Sequence, residues 1–378
     1  MVPLTVTGYM IGRVEWVTDR ARFSELREAW DRLARGPFQR HAWYEAWWSS
    51  FSTGRRLAIC TVWQAGELVA VLPLCRHGLR LEAMTNVHSP VFEPLARDPA
   101  ATAEVLNAAL SAQGREIRLS PLPREGPALD RSLDACARVR RLVALEAQHV
   151  SPITDTTGEF ASYRAPRKRA WREIERRSRR LAREHTPEIR LVEPPADLER
   201  ELALGIALEA SGWKGKARTA IASHEDTQTF YRSVARGFHA SGELVLSSIA
   251  VDGRLVAFDL ALLEGNRYWL LKTGYDEAFR SLAPGLVLRH HVIERCFELR
   301  LSAHEFLGHA MDWKRPFATG ERAHVRLLAY RRRPDGMIGY GVRRYARPTA
   351  LRAYHRLRVE RPRSSSRPVT ATGGEAHR

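Results

Sequence analysis

The sequence predicts an α+β protein of two related units, each a mostly antiparallel, twisted sheet flanked by helices. Three observations carry this expectation. The run "LAICTVWQAGELVAVLPLC" (57–75) aligns without a gap on "LVLSSIAVDGRLVAFDLAL" (244–262), so that Leu57 falls on Leu244, Gly66 on Gly253 and Leu68-Val69-Ala70 on Leu255-Val256-Ala257. The same order of signals follows each copy: a strand, a polar loop, a helix and a further strand. With 378 residues, 44% hydrophobic and 8% aromatic, the chain is long for one domain and apolar enough for well-packed cores.

The first unit opens with "FQRHAWYEAWWSSF", where spacings of three and four put Tyr44, Trp47, Trp48 and Phe51 on one helical face beside Trp43, a core or interface stripe. A hairpin turning at Ala65-Gly66 comes next. The strand "LRLEAM", a loop to Arg97, a helix from Asp98-Pro99 to about Gln113 and the strand "REIRLS" follow. The units join near residue 155 through "YRAPRKRAWREIERRSRRLAREH", a helix whose apolar positions Trp171, Ile174 and Leu181 are thinly spaced among arginines. Two amphipathic helices, one carrying Leu198, Leu202 and Ile206 and the other Phe230, Val234 and Phe238, bracket a polar loop around Trp213. The second hairpin turns at Asp252-Gly253. The strand "RYWLLKT", a polar loop, a helix from Pro284 to about Leu299 and the strand "AHEFLG" complete the second unit. The expected division is 1–155, 156–345 and a basic tail 346–378, with residues 360–378 disordered because they hold almost nothing to bury.

The net charge of +17 is confined to two places. Residues 163–184 hold ten basic residues against three Glu, and residues 331–378 hold thirteen Arg against three acids. A nucleic-acid contact therefore belongs to that helix or that tail, where the alternative is a solvated face and a disordered end. No stretch approaches a membrane span and the start lacks a basic-then-apolar layout, which reads as a cytoplasmic protein. Cys60, Cys75, Cys136 and Cys296 are far apart and form no C-x-x-C pair, so they read as buried apolar residues, with neither a metal site nor a disulfide framework.

The chemistry concentrates in "LLKTGYDEAFRSLAPGLVLRHHVIERCFE" (270–298), where a strand leads through a polar loop to a helix headed by Pro284-Gly285. If that helix crosses over so that its flanking strands lie side by side and splay at one end, its bare N–H groups face a cleft and can hold a phosphate. Gly285 lets the phosphate approach, and Arg280 and Ser281 add a charge and a hydroxyl. The plainer alternative is a helix-initiating turn. Candidates for proton transfer are Tyr275 and Asp276 at one strand end and His309 and Asp312 across the cleft. Their structural alternatives are packing, a turn cap, a loop histidine and the start of a short helix. Four of the five lysines, Lys214, Lys216, Lys272 and Lys314, fall in these loops and strand ends among fifty-five arginines. Trp213 offers a stacking surface or packs beneath its loop.

"GYDEAFRSLAPGLVL" and "HEFLGHAMDWKRPFA", preceded by "SGWKGKARTAIAS", "FQRHAWYEAWWSSF" and "GELVAVLPL", resemble the BioF-like or CelD-like branch of the GNAT acetyltransferase superfamily over about residues 15–330. The resemblance implies tandem GNAT folds, an acyl-coenzyme A donor and kinship with FemAB-type aminoacyl transferases. Common GNAT enzymes carry a glutamine or arginine and paired glycines at the diphosphate loop, whereas this chain has "RSLAPG". The leading expectation is an acyltransferase moving acetyl, or a related acyl group, from acetyl-CoA (acyl-CoA) to an amine or hydroxyl of a sugar or polysaccharide precursor. In it Arg280, Ser281, Pro284, Gly285 and Leu286 hold the donor, and Trp213, Lys214, Lys272 and Lys314 face the acceptor. The first unit lacks a Pro-Gly helix start and reads as the non-catalytic partner. The rivals are a FemAB-like, aminoacyl-tRNA-dependent transferase and a nucleic-acid-binding protein without catalysis.

Overall fold

A computed structural model of the chain describes residues 12–346. The expected disordered tail lies outside the described residues. The strands are β1 (Arg13–Val17), β2 (Arg56–Leu57), β3 (Ile59–Gln64), β4 (Glu67–Leu72), β5 (Leu74–His77), β6 (Arg80–Ala83), β7 (Leu95–Ala96), β8 (Glu116–Pro123), β9 (Leu142–Asp155), β10 (Pro187–Glu193), β11 (Leu244–Val251), β12 (Arg254–Glu264), β13 (Arg267–Tyr275), β14 (Ala303–Glu305) and β15 (Gly320–Tyr330). Six helices matter for the argument: α1 (His41–Phe51), α2 (Pro99–Ser111), α3 (Lys168–Glu184), α4 (Leu198–Ser211), α5 (Glu225–Ala240) and α6 (Pro284–Glu298).

The internal repeat is geometric as well as sequential. Both hairpins turn through two left-handed residues, Ala65 (φ 51°) and Gly66 (φ 83°) in the first and Asp252 (φ 52°) and Gly253 (φ 77°) in the second. That turn matches the twist of its strands. Even the irregularity recurs. In the first copy Val62 faces Ala70 and Trp63 faces Leu68, skipping Val69. In the second Ile249 faces Ala257 and Ala250 faces Leu255, skipping the aligned Val256. Beyond the hairpins, Arg80, Leu81 and Glu82 pair in parallel with Glu116, Ile117 and Arg118, as Arg267, Tyr268 and Trp269 do with Ala303, His304 and Glu305, at the same sequence offset.

Two features depart from a simple pair of self-contained units. Pro73, which has no amide hydrogen to give to a ladder, divides β4 from β5, whereas the aligned Leu260 lies inside the unbroken β12. As a result β1-β3-β4-β7 form a small sheet and the other strands a continuous eleven-stranded sheet, β10-β11-β12-β13-β14-β9-β15-β8-β6-β5-β2. In addition, β15 returns from the second half to lie between β8 and β9 of the first. The aromatic stripe of α1 packs across the halves: Trp43 and Phe51 lie 5.1 and 5.3 Å from the Phe230 ring of α5. One apolar cluster holds Trp43, Trp47, Phe230, Leu244 and Leu260 together. Arg40, at the head of α1, pairs with Glu243 at 2.7 Å and Glu264 at 2.8 Å, on the second half. The four cysteines are free and buried. Among the described residues no helix is long and apolar enough to cross a membrane.

Candidate active site in the splayed sheet

β13 and β14 pair over three residues and then part. β13 continues along β12 to Tyr275, while β14 is held on its other edge by β9. The residues Leu270–Tyr275 of one strand and Phe306–His309 after the other thereby become opposite walls of a cavity of about 1210 Å³. The expected wedge is present, and the start of α6 lies at it: Ala283, Gly285 and Leu286 line the cavity.

That helix start is uncapped. Ala283 stands in the left-handed region (φ 47°, ψ 53°) and offers no side-chain bond to the first turn. The Leu286 and Val287 amides share the Ala283 carbonyl at 2.9 and 3.1 Å, and Pro284 has no amide hydrogen. No side chain caps this helix start, which presents Gly285 at the cavity. The equivalent helix of the first half is the opposite. The Asp98 carboxylate caps α2, accepting from the Ala101 amide at 2.8 Å, so an anion arriving there meets a fixed negative charge. This gives a physical reason for an anion to prefer the second copy.

The floor of the wedge is a buried charge cluster. Glu209 of α4, only 2% exposed, accepts from Lys214 Nζ and from the Ile221 amide, both at 2.8 Å, and lies 3.9 Å from Lys272 Nζ. Gly274 permits this, because a Cβ there would stand 3.1 Å from Glu209 Cα. Lys214 also donates to the Thr273 carbonyl at 2.6 Å, tying the Trp213 loop to β13. Lys272 sits 4.7 Å over the Tyr231 ring, and burial lowers its pKa despite Glu209. Lys314 donates to the carbonyls of Leu307 (2.5 Å) and His309 (2.9 Å), bracing the wall after β14. Burial first, then Arg289 and Lys214, push its pKa down to about 8.

The sequence-predicted residues separate on this geometry. Tyr275, Arg280, Gly285, Leu286, His309, Trp213, Lys214, Lys272 and Lys314 all line the cavity. Ser281, Pro284, Asp276 and Asp312 are not among its lining residues. Pro284 is buried as the first residue of α6, and Ser281 is exposed. Asp276 caps the short turn after β13, accepting from the Ala278 amide at 2.9 Å, and pairs with Arg254, so its carboxylate is committed to structure. Asp312 is fully exposed, 3.7 Å from Arg315. The cavity-lining candidates for moving a proton are therefore His309 and Tyr275.

Some residues of the site were not anticipated. Glu209 falls on the apolar stripe of α4 with Leu202 and Ile206, and an acid at a core position was the available signal. Beneath the wedge, Arg289 pairs with Asp259 at 2.6 Å and donates to His304 Nε2 at 2.9 Å, all three fully buried. Burial and the Arg289 charge keep that imidazole neutral, which leaves its nitrogen free to accept. Each of these charges also interrupts an apolar run. The first half contributes more to the wall than expected, with Arg55, Arg80, Glu82, His88, Arg118 and His149 among its lining residues. Burial lowers His88 and His149 to about 4, so both are neutral at physiological pH. On α6, away from the cavity lining, ligand atoms of His290, His291 and Glu294 lie within 4.8 Å of one another.

Residues 167–315 match the family described as "Acetyltransferase (GNAT) domain". No curated protein matches the chain. Among solved structures the fold is similar to FemX, at 11% identity and a TM-score of 0.56, covering 87% of this chain and 100% of that one. It is also similar to the C-terminal DUF2156 domain assigned to a lysylphosphatidylglycerol synthetase of Agrobacterium fabrum, at 11% identity and a TM-score of 0.52, covering 84% of this chain and 94% of that one. At such identities the likeness is one of fold. The matched span runs from α3 through the splayed strands and the uncapped helix, so this part of the chain matches a GNAT acetyltransferase domain, within a fold similar to that of FemX.

Proposed function

We propose that the protein transfers an acetyl or related acyl group from coenzyme A to an amine or hydroxyl of a sugar or polysaccharide precursor, by direct transfer. The observation that carries this reading is the parting of β13 from β14 beside a helix start that no side chain caps. The residues present fit a diphosphate: the positive end of α6 without a side-chain cap, and Gly285 and Arg280 on the cavity wall. Among the described residues the edge of β13 beyond Trp269 that faces β14 has no strand partner, so it can receive an extended pantetheine-like chain as a strand receives its neighbour.

In the transfer, the acceptor nitrogen or oxygen attacks the thioester carbonyl and gives its proton to His309. The carbon–sulfur bond then breaks, and the departing thiolate takes a proton from the Tyr275 hydroxyl. No enzyme nucleophile is required, since the thioester is already activated. Trp213, 46% exposed on the wall, offers a sugar a flat apolar face. A second reading, an aminoacyl-tRNA donor, is favoured by α3. That helix exposes Lys168, Arg169, Arg172, Arg176, Arg179 and Arg183 and places Arg177 on the cavity wall.

Calorimetry on Gly285→Trp separates these readings. A Cβ at 285 meets Tyr275 at 3.5 Å, ordinary contact, so the fold tolerates a side chain while an indole fills the mouth. The expected result is loss of acetyl-CoA binding with unchanged thermal stability. Unchanged affinity contradicts the placement. Binding of aminoacyl-tRNA that collapses with added salt, without acetyl-CoA binding to the wild type, transfers the assignment to the second reading.

A further inference from the structure

The cavity has a second charged end, formed by the first half and unused by the donor. There the sheet shows period-two alternation: Leu81, Ile117, Leu119 and Leu327 are buried in the core, while Arg80, Glu82, Arg118 and Arg326 line the cavity. Arg55, from the turn before β2, joins them. Four guanidiniums thus share this wall with one carboxylate.

That carboxylate does not neutralise them. Glu82 lies 3.4 Å from Arg55, 3.6 Å from His77 and 3.9 Å from Arg118, one acid divided among three bases. Glu116, behind Arg118 at 2.9 Å, and Glu146, at 3.2 Å from Arg326, hold those two side chains but do not themselves line the cavity. The Arg80 side chain has neither an ion pair nor a hydrogen bond among the described residues. The buried Nε atoms of Arg118 and Arg326 also lack hydrogen-bond acceptors, and Arg55 Nε has only its 3.4 Å contact with Glu82. Guanidinium donors without acceptors, aligned on the polar face of a rigid sheet, are arranged to take an oxyanion bidentately.

We propose that Arg55, Arg80, Arg118 and Arg326 form an oxyanion subsite for the acceptor, so that the acceptor carries a phosphate or a carboxylate besides its reacting amine or hydroxyl. This deepens the transferase reading and rests on it for the word acceptor. The binding site itself does not depend on the donor's identity. On this reading the second half grips the donor at α6, and the first holds the acceptor from its own wall of the same cavity.

The test is calorimetric titration of the full chain with pyrophosphate, with the α6 mouth blocked either by saturating acetyl-CoA or by Gly285→Trp. Pyrophosphate should still bind the blocked protein, and Arg80→Gln should weaken it about tenfold or more, the size of one lost charge-assisted bond. Because Arg80 holds no partner, its removal orphans no carboxylate, and an unchanged melting temperature confirms the fold. Arg80→Lys should recover part of the affinity. Titration with glucose 1-phosphate, glucuronate and glucose then identifies the oxyanion: a charged sugar that binds wild type well and Arg80→Gln weakly supports the proposal and names its class. The proposal is overturned if the blocked protein binds no pyrophosphate, if Arg80→Gln binds it as wild type does, or if neutral glucose binds as tightly as both charged sugars. Failure of acetyl-CoA to bind would count against the donor assignment alone, since the Gly285→Trp arm still reads the subsite.

Discussion

Replacing Glu209 with Gln tests the floor of the wedge with one atom's change. The carboxylate is almost wholly buried between Lys214 and Lys272 and also accepts from the Ile221 amide. The amide side chain keeps the shape and can still accept from Ile221, but it cannot balance two ammonium groups. Removing one member of a buried pair costs about 3–5 kcal/mol when its partner is stranded. Here Lys214 and Lys272 keep 21% and 15% side-chain exposure to the cavity, so water relieves part of the penalty and about 3 kcal/mol is expected. At about 1.3 °C per kcal/mol for a chain of this length, the melting temperature should fall by ~4 °C. The loss has a pH signature. Without Glu209 the Lys272 pKa drops further below its unfolded value, the unfolded chain binds more protons, and stability rises with pH as that lysine discharges. The deficit against wild type, read by thermal melts at pH 7 and 9, should shrink. A fall of less than 1 °C, or a deficit that grows with pH, refutes the charge balance described here.

Lys314 carries a second pH prediction. With its folded pKa near 8 against an ordinary lysine value of 10.5, the unfolded chain holds the extra proton between those limits. Stability from this group therefore rises across that window, by at most about 1.4 kcal/mol per pH unit. Lys314→Met should flatten the wild-type rise between pH 8 and 10, and its melts should parallel wild type if the ammonium is not desolvated. In α4, Gly205 lies against Phe258 so closely that a Cβ would stand 2.3 Å from the ring. Gly205→Ala should destabilise by about 1–3 kcal/mol in spite of alanine's better helix propensity, a sign that denaturation can check.

The two hairpins, the helix between each pair of parallel strands and the wedge were legible because each is local: a turn dipeptide, an apolar alternation, a proline at a helix start. The splitting of the first-half sheet was also written locally, in Pro73, but reading it requires knowing that Leu260 occupies the same place in an unbroken strand. The insertion of β15 between β8 and β9 was not legible, because strand pairing across two hundred residues leaves no mark in either strand. Asp276, which caps a turn off the cavity lining, was ambiguous in the sequence for a physical reason. The end of a strand needs an acceptor for the turn that follows, and it is also where a catalytic acid would stand, so one residue type answers both demands. Glu209, Asp259 and Arg289 were hidden in apolar runs, where a charge reads as an exception until the structure supplies its partner.

What grips the donor, the head of α6 and the edge of β13, can be read directly. Hydrogen exchange resolved to single amides, with and without acetyl-CoA, measures it: the amides of Gly285, Leu286 and Val287 should gain protection on binding, together with the edge of β13 from Leu270 onward. Protection confined to the Asp98-capped helix of the first half, or absent from residues 285–287 while acetyl-CoA is bound, would contradict it.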